Sequence, residues 1–578
     1  MWSDARSRFI SVVHVRNSRW GFDRARLLFA AVALVLAAMV LLPVGWLVAT
    51  SFTGPAGPTF ANYVALATDA TMIRPLLITL GSSAVVAIAC VAVAVPMGWC
   101  VARTDMPLRR LVRVLVMASL VTPPFLGAIA WELLAAPNTG FLNQGARFLF
   151  GLSRSVHPFN IYTVAGLTFV NFLYTFPYVF ILVANALERI PADLEDASSI
   201  LGARDWQTAV RVTLPLILPS ILAGALVAFL QSMTVFGSAA IITLPAGFHT
   251  MTTRIWSLFQ FPPKPGLAAA ASIPLLLLTL GLLRTQQLIL GRKGYALVGG
   301  KGARRTINAL GPWKWIALGF CGFVLVLSIV LPYGALLDAA IVKIAPALPT
   351  FANLTLAHFH FVFFELDATP VALWNTVILS LSAATVGTAL AMIVAYVTVR
   401  KAVPGWPALA FLANAPLAIP SIVMGVGLFL AYTRPPFVLY GTLWIMLIAF
   451  VTIEFPAAFT QLSTVARSIH PELEEAGRVL GATQLRTLRD IVSPLMRSGM
   501  IATWCFVFIG AIREISAAIL LFTAPTRTIA VVIYDLNESG DTGGIAVLGL
   551  LLMVVTFGVL VIANRIPIAA TATAEIRE

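Results

Sequence analysis

Three ionisable side chains stand inside stretches otherwise made of apolar residues: Glu454, Arg513 and Glu514. A charge in hydrocarbon is costly, so such groups line a polar pathway or pair with one another. Their chemistry is that of holding or passing a solute, or of an ion pair that locks helices. Arg513 and Glu514 are adjacent and point about 100° apart on a helix, which makes them poor partners for each other. Glu454 is the expected partner of Arg513. No nucleophile, base and orienting group occur at a credible catalytic spacing. A G-x-x-x-x-G-K-[ST] phosphate loop is missing from the sequence, since Gly300, Lys301 and Gly302 lack the hydroxyl residue and the flanking strand. His358 and His360 lie two apart in a loop, and two such histidines do not define a metal site. Cys90, Cys100, Cys321 and Cys505 fall in or beside apolar runs and read as small packing residues. Met233, Phe236, Phe259 and Phe261 read either as a solute-contact surface or as interface anchors, the commoner role of aromatics near span ends.

The strongest pattern is a repeat. Leu194, Glu195, Asp196, Ala197, Leu201, Gly202 and Ala203 recur 279 positions later as Leu473, Glu474, Glu475, Ala476, Leu480, Gly481 and Ala482. A proline opens each copy, Pro191 in the first and Pro471 in the second. The same shift lays Phe176 and Pro177 on Phe455 and Pro456, and Pro215 on Pro494. Further upstream a shift of 297 lays Thr79 on Thr376, Arg103 on Arg400 and Pro123 on Pro420. Leu194, Ala197 and Leu201 share one helical face, as do Leu473, Ala476 and Leu480. Gly202 and Gly481 can end that short helix, because glycine accepts the left-handed cap conformation. A short helix, a glycine turn and a second helix, held outside the membrane, suit a socket on another protein.

The elements that position these residues follow from hydropathy. The chain has 578 residues, 59% hydrophobic and 11% charged, against roughly 25% charged for soluble domains. Apolar runs long enough to cross a bilayer lie near 27–50, 76–101, 111–135, 161–187, 216–242 and 267–290, then near 315–342, 371–399, 408–432, 438–465, 498–522 and 543–564. The first run follows Arg6, Arg8, Arg16, Arg19, Arg24 and Arg26 and exceeds a signal peptide's apolar core, so it is expected to be an uncleaved first span. With the N-terminus in the cytoplasm, 29 of the 38 Lys and Arg fall on the cytoplasmic side and eight on the outer side. That bias is the positive-inside pattern. It places both termini in the cytoplasm and explains the net charge of +14 without nucleic acid. Membrane lipid is the chain's main solvent. The predicted fold is all-α and integral to the membrane, with about twelve helices in two homologous six-helix halves of parallel orientation. The halves are expected at 1–290 and 315–578, joined by a flexible cytoplasmic linker at 291–314 that contains Gly291, Gly294, Gly299, Gly300 and Gly302.

Asp196, Ala197, Ser198 and Gly202, followed by Val212, Thr213, Leu214 and Pro215, resemble the signature loop of permease subunits of ATP-binding cassette importers. The second copy reads Glu475, Ala476, Gly477 and Gly481, then Ile491, Val492, Ser493 and Pro494. Asp196 replaces the family's Glu, and Ser493 replaces its Leu. The resemblance implies the type I importer transmembrane fold and a bacterial inner-membrane location. It implies that the loops with Glu195, Asp196, Ala197 and Gly202, and with Glu474, Glu475, Ala476 and Gly481, are coupling helices that dock on a homodimeric ATPase. ATP and Mg would bind that ATPase, with no cofactor on this chain, which would be a channel subunit and not an enzyme. A separate periplasmic binding protein would deliver cargo. Phe236, Gly237 and Ser238, the stretch Leu244 to Phe248, Gly294 and Tyr295, Gly300 to Gly302, Arg513 to Ala517, and Ile533 to Leu536 look like the fused permeases of ferric-iron importers. Thiamine, polyamine and 2-aminoethylphosphonate permeases are the alternatives. An ion-coupled secondary transporter would also show twelve spans in two parallel repeats, but it needs no ATPase socket. Glu454, Arg513 and Glu514 are expected on the translocation path or its gate.

Overall fold

A computed structural model describes residues 24–54, 57–292, 307–345 and 350–565. The arginines from Arg6 to Arg19 and the linker glycines from Gly294 to Gly302 lie outside the described residues. The helices that position the site are α1 (Arg24–Ser51), α2 (Ala70–Arg103), α3 (Arg109–Val121), α4 (Pro124–Ala135), α5 (Val164–Glu188), α6 (Ala192–Ile200), α7 (Leu214–Thr234), α8 (Gly237–Thr243) and α9 (Pro265–Arg292). In the second half they are α10 (Trp313–Ile341), α11 (Ala368–Val399), α12 (Trp406–Asn414), α13 (Ser421–Tyr432), α14 (Leu443–Ser468), α15 (Glu472–Val479), α16 (Arg497–Ile512), α17 (Ala518–Leu521) and α18 (Thr542–Arg565). Among the described residues nine helices are long and apolar enough to cross a membrane, and the number rises to 12 if each of three bent pairs counts as one span. Leu34, Ile88, Trp374 and Val554 are exposed on the outside of this bundle. A belt of that kind is stable in lipid and not in water.

The bends have a local cause. A proline disfavours helical geometry in the residue before it. Thr122 before Pro123 and Ile419 before Pro420 are both extended. The chain accordingly turns by 98° between α3 and α4, and by 110° at the matching break ahead of α13. The expected spans 216–242 and 498–522 need correction, since neither is one helix. The first breaks at Val235, between α7 and α8. The second breaks at Arg513, between α16 and α17. Hydropathy averages over such breaks, because both sides are apolar.

The repeat is visible in hydrogen bonding. Thr79 Oγ1 in α2 accepts from the backbone N–H of Met251 at 2.8 Å, and Thr376 Oγ1 in α11 accepts from that of Ile529 at 2.9 Å. Each satisfies an orphan donor at the start of a short helix (Met251–Ser257, Ile529–Ser539).

The halves exchange their first helices. α1 packs on α13 of the second half, and the Leu331–Ile341 part of α10 packs on α4 of the first. The Arg434 guanidinium lies 5.6 Å from the Trp46 ring, and the hydroxyls of Tyr333 and Thr122 bond to each other. Gly427 permits the closest approach: a Cβ there would stand 2.8 Å from the Pro43 carbonyl oxygen. Gly427→Ala must push two backbones apart. It is expected to cost about 1–3 kcal/mol, read as a lowered thermal midpoint of the purified protein.

Candidate functional site: two clamped elbows and a central cavity

The repeated loops form the two short helices α6 and α15. Each begins at a proline and carries acidic residues in its first turn, where the helix dipole favours them. Each ends in glycine with positive φ, +83° at Gly202 and +84° at Gly481. The terminal bonds match as well. Gly202 and Ala203 donate to Ser199 and Ser198 carbonyls at 2.9 and 3.1 Å, while Gly481 and Ala482 donate to Arg478 and Gly477 carbonyls at 2.9 and 3.0 Å. This is the paired closure expected of a left-handed helix cap. A side chain at such a position costs about 1–2 kcal/mol. Gly202→Val or Gly481→Val should therefore fray the elbow, seen as faster amide exchange over residues 192–203 or 472–482.

Neighbouring carboxylates within each elbow face opposite ways. Asp196, Ala197, Glu475 and Ala476 stand apart from Glu195 and Glu474 in this respect: Asp196 and Glu475 are exposed, whereas Glu195 and Glu474 are buried against their own chain. Arg103, the last residue of α2, reaches Glu195 Oε2 at 3.4 Å and donates to the Ile190 carbonyl at 3.1 Å. Arg400, just past α11, donates to Glu474 Oε1 at 2.6 Å and to the Ile469 carbonyl at 2.8 Å. Thr213 donates to the other oxygen of Glu195 at 2.9 Å, and Tyr396 to that of Glu474 at 3.3 Å. Side-chain exposures are 1% and 9% for the first pair, 14% and 4% for the second. The same clamp is thus built twice, and it ties each elbow to the end of a long helix. The repeat places Arg103 on Arg400 and Glu195 on Glu474, but it does not reveal the pairing between them. The outer tips are apolar: Ile200, Leu201, Val479 and Leu480 are 84, 86, 87 and 89% exposed.

Between the halves lies a cavity of about 520 Å³, lined from both sides. Glu454, Arg513 and Glu514 are all in its wall, with Asn171, Gln231 and Thr234 facing from the first half. Arg513 terminates α16, and its backbone leaves the helix there. Irregular backbone at membrane depth is tolerated where it borders a cavity. Glu454 and Arg513 share the cavity wall, but among the described residues the expected direct ion pair within 4.0 Å is not formed. Arg513 Nη1 instead donates to the Leu120 carbonyl at 2.9 Å, crossing from the second half to the first. Leu120 sits beside the Pro123 bend, where helix carbonyls lose their partners. The Glu454 carboxyl lies over Gly510, where a Cβ would collide with it. Glu514 Oε1 accepts from the Ala517 N–H at 3.0 Å and so caps the turn into α17. The first-half position opposite Arg513 is Thr234, whose hydroxyl donates to the Leu230 carbonyl of its own helix at 2.9 Å.

Other candidates lie elsewhere. Met233 and Phe236 are buried in the core, Phe259 packs edge-on against Phe429, and Phe261 is exposed. His358 Nε2 is bonded to the Val342 carbonyl at 3.0 Å, and His360 pairs with Glu365 at 2.9 Å. Among the described residues no three His, Cys, Asp or Glu side chains gather as metal ligands would. Cys90, Cys321 and Cys505 are buried and Cys100 is partly so, all as free thiols.

The family described as "Binding-protein-dependent transport system inner membrane component" matches twice, over residues 94–293 and 387–566. Both matches leave out α1 and α10, the helices that the halves exchange. The ferric transport system permease protein FbpB of Actinobacillus pleuropneumoniae is 27% identical over 76% of this chain and 63% of its own length. The putative ferric transport system permease protein FbpB 1 of Haemophilus influenzae is 27% identical over 71% of this chain and 64% of its own. This chain therefore spans less than two thirds of either relative. The molybdenum transport system permease protein ModB of Mycobacterium bovis is 32% identical over 37% of this chain and 77% of its own.

Proposed function

This chain belongs to the family of binding-protein-dependent transport system inner membrane components, and from that we propose that it is the permease of an ATP-driven importer with ferric iron as cargo. The single observation that supports the transport machinery is the duplicated, clamped elbow with its exposed apolar tip. Two such tips at matching positions suit two copies of one ATPase. The excess of Lys and Arg on the elbow side favours a cytoplasmic face for both elbows and both termini. The sequence has no phosphate loop, so ATP and Mg belong on the partner, and this chain acts as channel and not as enzyme. The names of the two ferric relatives support the cargo, and a periplasmic binding protein would present it at the outer mouth.

The mechanism follows from the contacts. A displaced elbow pulls on Arg103 or Arg400 through a buried, multiply bonded carboxylate. Arg103 and Arg400 stand at the ends of α2 and α11, so each pull moves a long helix as one body. The halves, 1–290 and 315–578 with their first helices exchanged, then rock about the cavity between them. The bond from Arg513 to the Leu120 carbonyl spans that division and must break whenever the halves part there. Glu454, Glu514 and Arg513 present polar groups to whatever passes. Asp196 and Glu475 face outward for the docking partner, and Gly202 and Gly481 set the elbow's shape.

The test is co-purification and uptake. The tagged chain, expressed with its neighbouring transport proteins, should retain an ATPase. In proteoliposomes the assembly should take up ferric iron only with ATP and the iron-loaded binding protein, and should ignore thiamine and 2-aminoethylphosphonate. Uptake driven by an ion gradient without an ATPase would make it a secondary carrier.

A further inference from the structure

A second cavity, of about 210 Å³, opens at the corner between α2 and α3. Its wall holds three arginines, Arg109, Arg110 and Arg113, with Glu188, Val101, Ala102 and Ile307. Glu188 is paired with Arg113, and Arg109 donates to the Thr104 carbonyl at 3.3 Å. Arg110 makes no hydrogen bond or ion pair among the described residues. Among the described residues the lining carries three guanidinium groups and one carboxylate. Next to the lining residue Ile307 the backbone is held in place: the Asn308 N–H donates to the Arg103 carbonyl at 2.8 Å, and the Asn308 carbonyl accepts from the Asp105 N–H at 3.2 Å. Leu108, Leu111 and Val114, on the same stretch as the arginines, are exposed and apolar. A pocket of clustered cations beside a lipid-facing apolar stripe matches the head and tail of an anionic phospholipid. The feature is not a by-product of the repeat. At the shift of 297 the three arginines fall on Trp406, Pro407 and Ala410, so the second half has no counterpart.

We infer that Arg109, Arg110 and Arg113 form a binding site for a phosphate group, as carried by an anionic phospholipid or by a free phosphate. Guanidinium is suited to phosphate because its planar fork offers two parallel donors. The site lies beside Arg103 and so beside one elbow, but its existence does not depend on what the chain transports.

The test compares the full-length chain with Arg110→Gln, at an exposed position with no hydrogen bond or ion pair among the described residues. In one arm both proteins are reconstituted in phosphatidylcholine discs containing phosphatidylglycerol, extracted, and weighed by native mass spectrometry for retained lipid. In the other arm inorganic phosphate is titrated into the detergent-purified chains by calorimetry. Retention of phosphatidylglycerol over phosphatidylcholine, weakened about tenfold by Arg110→Gln as expected for one lost charge-assisted hydrogen bond, assigns the site to a lipid headgroup. Phosphate binding weakened by the same substitution, without lipid preference, assigns it to a soluble phosphate. Equal behaviour of the two proteins in both arms overturns the site. A transport defect plays no part in the readout, so the importer reading can fail without this inference failing.

Discussion

Arg400→Met is expected to release its elbow. The substitution leaves Glu474, its side chain 4% exposed, without its ion-pair partner. Breaking a buried pair from one side costs about 3–5 kcal/mol, because the remaining charge is uncompensated. The cost falls locally on the segment from Ile469 to Ala482, whose connection to α11 runs through this side chain. Amide exchange there should accelerate while the rest of the bundle keeps its protection. The double variant Arg400→Met with Glu474→Leu removes both charges. It should recover much of the protection, since an apolar pair of similar volume often replaces a buried ion pair without loss. It cannot recover all of it, because the Ile469 carbonyl and the Tyr396 hydroxyl lose partners worth about 1–3 kcal/mol if left bare. Transport separates the two roles of the clamp. If it only stabilises, the double variant transports normally; as a mechanical link, ATP hydrolysis continues and uptake stays low. The same cycle at Arg103 and Glu195 should give the same pattern, as the clamp is duplicated.

Arg513→Ala is expected to abolish uptake while the ATPase remains bound. The elbows are untouched by this substitution, so docking has no reason to change. Stability should fall little, because the freed Leu120 carbonyl borders a cavity of about 520 Å³, in which water can replace the lost donor. Arg513→Lys keeps the charge but loses the planar fork. Partial uptake by the lysine variant would assign the effect to charge in the path, and no uptake would assign it to the bond across the halves. Normal uptake by Arg513→Ala would remove the residue from path and gate alike.

Much of this is legible in the sequence, for physical reasons. Lipid demands long apolar helices, and the positive-inside bias labels their ends, so the span pattern can be read. The internal repeat locates both elbows and even aligns Arg103 with Arg400. Their pairing with Glu195 and Glu474 bridges 92 and 74 positions, and no periodicity encodes contacts that remote. The family resemblance places all four carboxylates in the coupling loops, and burial divides them into two that face inward and two that face out. The breaks at Val235 and Arg513 are hidden because apolar residues continue on both sides. Arg513 next to Glu514 is the available signal, since a charged doublet is poorly housed in a lipid-facing helix. The exchange of α1 and α10 leaves no mark, as a helix packing on its own half and one packing on the other need the same apolar face. The Glu454–Arg513 pair fails because a nearer carbonyl at the Pro123 bend has no helical partner.

The most direct test places cysteine at Leu201 and, separately, at Leu480, and treats membranes holding the assembled transporter with a short thiol cross-linker. The two tips are equivalent in the duplicated elbow, so each should join covalently to the same ATPase polypeptide, and ATP should change the yield at both. If neither cysteine reaches an ATPase, or if a membrane-impermeant reagent labels them from the periplasmic side, the elbows do not receive force from an ATPase and the account is contradicted.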